Sequence, residues 1–80
     1  MSGAITVDAR GLSCPEPVMR AKAALAGAGE SEVEVLVDAT AARDNVSRFA
    51  RSQGREVSVA DFEDGWKVAI GKRQGKQANG

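Results

Sequence analysis

The sequence predicts an α+β domain: a two-layer α/β sandwich in the order β-α-β-α-β-β, with a four-stranded mixed sheet carrying two helices on one face. Three observations lead there. Apolar and polar residues alternate at Ile5-Thr6-Val7, at Glu32-Val33-Glu34-Val35 and again from Val57 onward. Between these runs, apolar residues recur every three or four positions in two stretches of helical length. Finally, Asp64-Gly65 between alternating segments marks a hairpin joining the last two strands.

Taken in order, Ile5-Thr6-Val7 is a short first strand that ends in Asp8-Ala9-Arg10-Gly11, where the glycine permits a turn. The first helix is expected from Pro15 to about Ala26, with Val18, Ala21, Ala24, Leu25 and Ala28 as its apolar stripe and Arg20 and Lys22 off it. Gly27 and Gly29 are expected to stop it. The second strand is Glu32-Val33-Glu34-Val35-Leu36-Val37, and Leu36 suggests that its end is buried on both sides. Asp38 or Thr40 is expected to cap a second helix reaching about Ser52, with Ala42, Val46, Phe49 and Ala50 inward and Gly54 just past its end. Val57, Val59 and Asp61 share one face of the third strand, opposite Phe62. The fourth strand is Trp66-Lys67-Val68-Ala69-Ile70, with core packing the expected role of Trp66.

Eighty residues make one small domain, which buries about 60 % of the surface of its unfolded chain. We place that domain at residues 1–72 and a disordered tail, without apolar periodicity, at 73–80. Eleven basic and eleven acidic residues cancel, so no overall field draws the chain to nucleic acid or an anionic membrane. No apolar run approaches the roughly 20 residues of a membrane span, and the first residues lack the pattern of a signal peptide. A single cysteine forms no internal disulfide, which points to a reduced, cytoplasmic protein.

With no histidine and one cysteine, the sequence offers no thiol–imidazole dyad, zinc-finger ligand set or haem attachment motif. It also lacks the glycine-rich phosphate loop and the dinucleotide fingerprint. No cofactor or metal is expected. The remaining chemistry is that of sulfur, at Cys14 in the run Ser13-Cys14-Pro15-Glu16-Pro17.

If Cys14 is the N-cap, Pro15 takes the first helical position, where its missing N–H costs no helical bond, and Pro17 takes the third. The sulfur then meets the positive end of the helix dipole and the Glu16 N–H. Arg10 would add positive charge if its loop folds back, while the Glu16 carboxylate opposes a thiolate. Polar flanks, and a position ahead of the apolar stripe, weigh against a buried structural cysteine.

Asp8-Ala9-Arg10-Gly11-Leu12-Ser13-Cys14-Pro15-Glu16-Pro17 resembles the opening of the TusA/SirA/YedF family of small sulfur-carrier proteins, whose hallmark is Cys-Pro-x-Pro. The resemblance spans about residues 4 to 72 and includes the order of strands and helices. Its second half, from Val37-Asp38 through Asn45-Val46-Ser47-Arg48-Phe49-Ala50-Arg51-Ser52-Gln53-Gly54, is most similar to the N-terminal domain of YedF-type proteins linked to selenium metabolism. The resemblance implies a sulfurtransferase-type carrier that holds sulfane sulfur as a persulfide on Cys14. Pro15 and Pro17 would frame that sulfur, Glu16 would fill the variable position, and Arg10 would be an electrostatic helper. The implied partners are a sulfur donor of cysteine desulfurase or rhodanese type and an acceptor protein, serving tRNA thiolation, molybdenum cofactor, or sulfur or selenium metabolism.

The rival reading is a nucleic-acid-binding or regulatory module that uses Arg43, Arg48, Arg51 and Arg55 around the second helix. A net charge of zero and three aromatic residues argue against nucleic acid, and a charged helix face is commonly only a solvated surface.

Overall fold

The structure, a computed structural model, describes residues 4–29 and 31–73. The elements are β1 (Ile5–Asp8), α1 (Glu16–Ala28), β2 (Val33–Val37), α2 (Thr40–Ser52), β3 (Arg55–Phe62) and β4 (Gly65–Arg73). They form one four-stranded mixed sheet in the order β1-β2-β4-β3, with β1 and β2 parallel and the other neighbours antiparallel. Both helices pack on the same face, which is the two-layer sandwich expected of the sequence.

Period-two alternation decides which face the helices cover. Val33, Val35 and Val37 point to the helices and are fully buried, as are Val68 and Ile70 on the paired β4. The α1 stripe facing them is Pro17, Ala21, Leu25 and Ala28; that of α2 is Ala42, Val46, Ser47 and Ala50. Ser47 is tolerated inside because its hydroxyl donates to the Arg43 carbonyl at 2.7 Å. Leu36 points the other way, yet is only 8 % exposed, so the end of β2 is indeed covered on both sides. Trp66 lies opposite Val37, on the helix-covered face.

Four boundaries differ from expectation. Helix α1 runs through Gly27 to Ala28 and is capped by Gly29 (φ 61°), because Ala28, the last residue of the apolar stripe, is buried and keeps the helix intact past Gly27. Helix α2 takes no side-chain cap from Asp38 or Thr40: Ala39 is its N-cap, and Asp38 is engaged elsewhere. The hairpin turn is Glu63-Asp64, with Phe62 paired to Gly65; the strand therefore begins at the glycine instead of after it. Strand β4 continues to Arg73 because Arg55 pairs with it beyond the irregularity at Arg55/Val57. The remainder of the expected tail, 74–80, lies outside the described residues.

Arg55 closes the far end. Its guanidinium donates to the carbonyls of Gly71 (3.2 Å) and Gly29 (3.3 Å), placing a cation at the C-terminus of α1.

Candidate functional site

Topology gathers the site at one end of the sheet. β1 and β2 are parallel, and each is followed by a helix that crosses back, so α1 and α2 both start beyond the C-terminal ends of these strands. β3 runs parallel to β2 through their shared neighbour β4, which brings the Glu63-Asp64 turn to the same end. The segment 9–15, which carries the cysteine, spans that end.

Cys14 is an exposed, free thiol. It sits one residue earlier relative to the helix than expected. Pro15 is the N-cap (φ −100°, ψ 19°), the Met19 N–H donates to its carbonyl at 3.1 Å, Glu16 is the first helical residue and Pro17 the second. Either register spares both prolines a hydrogen bond; burial chooses between them. With Pro17 in the second position, its ring joins Ala21, Leu25 and Ala28 on the inward stripe and is itself fully buried. The Cys14–Pro15 peptide bond is cis.

The Glu16 N–H does not serve the sulfur, because it donates to the Ser13 carbonyl at 2.8 Å and closes a tight turn around Cys14. The sulfur's partner comes from α2 instead: Asn45 Nδ2 donates to Cys14 Sγ at 3.6 Å. Glu16 turns along its own helix toward Arg20, 3.9 Å away.

Two further ties fix the loop. The Gly11 N–H donates to both carboxylate oxygens of Asp38 at 3.1 Å, joining the first loop to the start of α2. Gly11 itself has φ 78°, a left-handed conformation that favours glycine. Arg10 joins the loop to the hairpin turn, donating from Nε and Nη2 to the Asp8 carboxylate and from Nη1 to Glu63, each at 2.9 Å. Its guanidinium also lies 6.0 Å from the centre of the Phe62 ring. The charge expected to favour the thiolate is thus held by two carboxylates. The Arg10 side-chain and backbone donors hold Asp8 down to about 2, and Asp8 in turn raises Arg10.

Gly65 stands behind this arrangement. A Cβ there would run into the Val37 carbonyl oxygen and lie 2.8 Å from the Asp38 Cα, so only glycine lets the β4 backbone approach the end of β2 this closely. In the sequence Gly65 reads as a turn residue; in the fold it sets the position of Asp38.

The arginines proposed as a basic patch divide between tasks. Arg43 stacks over the Trp66 ring at 4.7 Å and pairs with Asp44, while Arg55 holds the end of α1; Arg48 and Arg51 remain exposed on α2. Asp38 and Asn45 are the neighbours of the cysteine loop whose contacts sequence reading missed. Their partners lie 27 and 31 residues away, and no local pattern in the sequence links them.

Comparison with known proteins decides what this thiol platform belongs to. The family model described as sulfurtransferase TusA matches residues 5–72. The chain belongs to the TusA family of sulfur carriers. Among its relatives, a candidate sulfur carrier protein of Methanocaldococcus jannaschii is 37 % identical over 68 residues, covering 82 % of this chain and 91 % of that one. Another, from Archaeoglobus fulgidus, is 39 % identical over 61 residues, covering 74 % and 79 %. The crystal structure of a SirA-like protein from Desulfitobacterium hafniense superposes with a TM-score of 0.76 at 40 % identity, covering 82 % of this chain and 93 % of that one. Among the described residues, no helix is long and apolar enough to cross a membrane.

Proposed function

We propose that this TusA-family protein relays sulfane sulfur as a persulfide on Cys14, between a donor protein of cysteine desulfurase or rhodanese type and an acceptor protein. The observation that carries the reading is the exposed, free Cys14 thiol, held on a loop tied to both α2 and the β3–β4 turn. In loading, the Cys14 thiolate attacks the outer sulfur of a donor persulfide. A new bond to Sγ forms, the donor's sulfur–sulfur bond breaks, and the donor leaves as a thiolate. In unloading, an acceptor thiolate attacks that outer sulfur and Cys14 leaves as a thiolate. Neither step changes the net oxidation state or draws on a general base, in keeping with a sequence that has no histidine.

Pro15 and Pro17 frame the sulfur, and Arg10 serves by anchoring the loop. Met19, in the first turn of α1, is 56 % exposed and offers a partner an apolar contact at the start of that helix. A free thiol with this task belongs in a reducing compartment, and we assign it to the cytoplasm. The acceptor's pathway is tRNA thiolation, molybdenum cofactor assembly, or sulfur or selenium metabolism.

Intact mass spectrometry after incubation with a cysteine desulfurase and free cysteine tests the assignment. One added sulfur, removed by reductant and absent from Cys14→Ser, is the expected result. A wild-type thiol that alkylates freely but gains no sulfur from either class of donor contradicts it.

A further inference from the structure

Resting on that relay, we infer that Asn45 is the hydrogen-bond donor that makes Cys14 Sγ a good leaving group when sulfur is handed on. Three observations converge. Asn45 Nδ2 donates to Sγ at 3.6 Å, and among the described residues this is the only side-chain hydrogen bond made by either residue. Asparagine is a poor helix former because its side chain competes for nearby backbone, yet Asn45 lies inside α2 with its amide directed to a residue 31 positions away. And the donor is firmly placed: the next residue, Val46, is fully buried, and Ala42 and Ala50 hold the same helix to the sheet.

The chemistry assigns the bond its role. In the loaded protein the negative charge sits on the outer sulfur; when an acceptor thiolate attacks, the bond between the outer sulfur and Sγ breaks and its electron pair goes to Sγ. A donor aimed at Sγ therefore stabilises the departing thiolate, and exchange runs faster when the leaving thiol is more acidic. Loading gains less, since a stabilised thiolate is more abundant but less nucleophilic. The charged groups on the two helices are Glu16, Arg20 and Lys22 on α1 and Arg43, Asp44, Arg48 and Arg51 on α2, with Asp38 just ahead of α2. Arg20 faces Glu16, Asp38 accepts from Gly11, and Arg43 pairs with Asp44.

The test uses the full chain loaded chemically with inorganic polysulfide, so that no protein donor is needed. Cyanide then attacks the outer sulfur, giving thiocyanate and the free Cys14 thiolate. Thiocyanate release is compared for wild type, Asn45→Ala, Asn45→Gln and the isosteric Asn45→Asp, alongside the pH midpoint for alkylation of the unloaded thiol. Asn45→Ala is expected to release sulfur roughly three- to tenfold more slowly, the size of losing one ordinary hydrogen bond, as suits a 3.6 Å contact to sulfur. Its alkylation midpoint should move to higher pH, with Asn45→Asp moving further and Asn45→Gln partly restored. A folded Asn45→Ala or Asn45→Asp with the wild-type release rate and midpoint overturns the inference. A midpoint that follows Asn45 in a protein that never retains polysulfide sulfur instead overturns the relay, and the leaving-group role with it.

Discussion

The two helices start side by side, and they start differently. α1 opens with two prolines and no side-chain cap, so its first turn is held by ring packing: Pro17 is buried with Ala21 and Leu25. α2 also opens without a side-chain cap, although Asp38 stands one residue before its N-cap, Ala39. The Asp38 carboxylate accepts from the Gly11 N–H instead, spending a capping group on the loop that leads to the thiol. The difference teaches where this small domain places its limited stability. Ring packing secures the helix that follows the sulfur, whereas the second helix gives up a cap to secure the loop. That is a common pattern at functional sites, where a local preference yields to a longer-range need.

The comparison is broken most severely at Gly65. Because a Cβ there collides with the backbone of Val37 and Asp38, Gly65→Ala should cost about 1–3 kcal/mol, as overpacking does, measured by urea denaturation. It should also loosen Cys14, seen as a changed alkylation rate in conditions where the protein remains folded. Next in size, Asp38→Ala removes the acceptor for Gly11 and should cost about 1 kcal/mol. Hydrogen exchange should then accelerate at the Gly11 amide while the β2 amides stay protected.

Much of this was legible in the sequence. The alternation at Val33, Val35 and Val37 and the spacing of Ala42, Val46 and Ala50 specify the two layers, because burial of a period-two face and a helical stripe leaves few alternatives. Cys14 was legible as the candidate reactive residue because the inventory excluded other nucleophile systems. The helix register was not: two prolines with Glu16 between them are tolerated in either register, and only the burial of Pro17 selects one. Asp38 read as a cap for the same reason that it is not one, since a short acceptor beside a helix start serves whichever N–H the fold brings closest. Nor does any local pattern reveal that Gly65 packs against Val37 at the end of β2, a contact between residues 28 positions apart.

The missing cap can be restored. Ala39 already has the extended dihedrals of an N-cap (φ −132°, ψ 143°), so Ala39→Ser should stabilise the protein by about 0.5–1 kcal/mol, raising Tm by a few degrees. An unchanged or lowered Tm would mean that the start of α2 is constrained by something other than an unmet N–H. The smallest effect is acid loosening of the strap made by Asp8, Arg10 and Glu63. Asp8 titrates lower in the folded chain than in the unfolded one, so its contribution is present above pH ~4 and is lost as pH falls through about 2. NMR titration should find the Asp8 carboxyl below the ordinary aspartate range, and Arg10→Gln should bring it part of the way back, since the N–H of residue 10 still donates to it.

The central claim is that Cys14 both takes sulfur and gives it up, and one labelled transfer tests both halves. Radiolabelled cysteine and a desulfurase would load the protein, which would be purified and mixed with an excess of a small-thiol acceptor. We predict label on wild type and none on Cys14→Ser, with the bound label leaving as the acceptor's persulfide in step with recovery of a free Cys14 thiol. Label that binds equally to Cys14→Ser, or that stays on Cys14 in the presence of acceptor thiol, would contradict the relay.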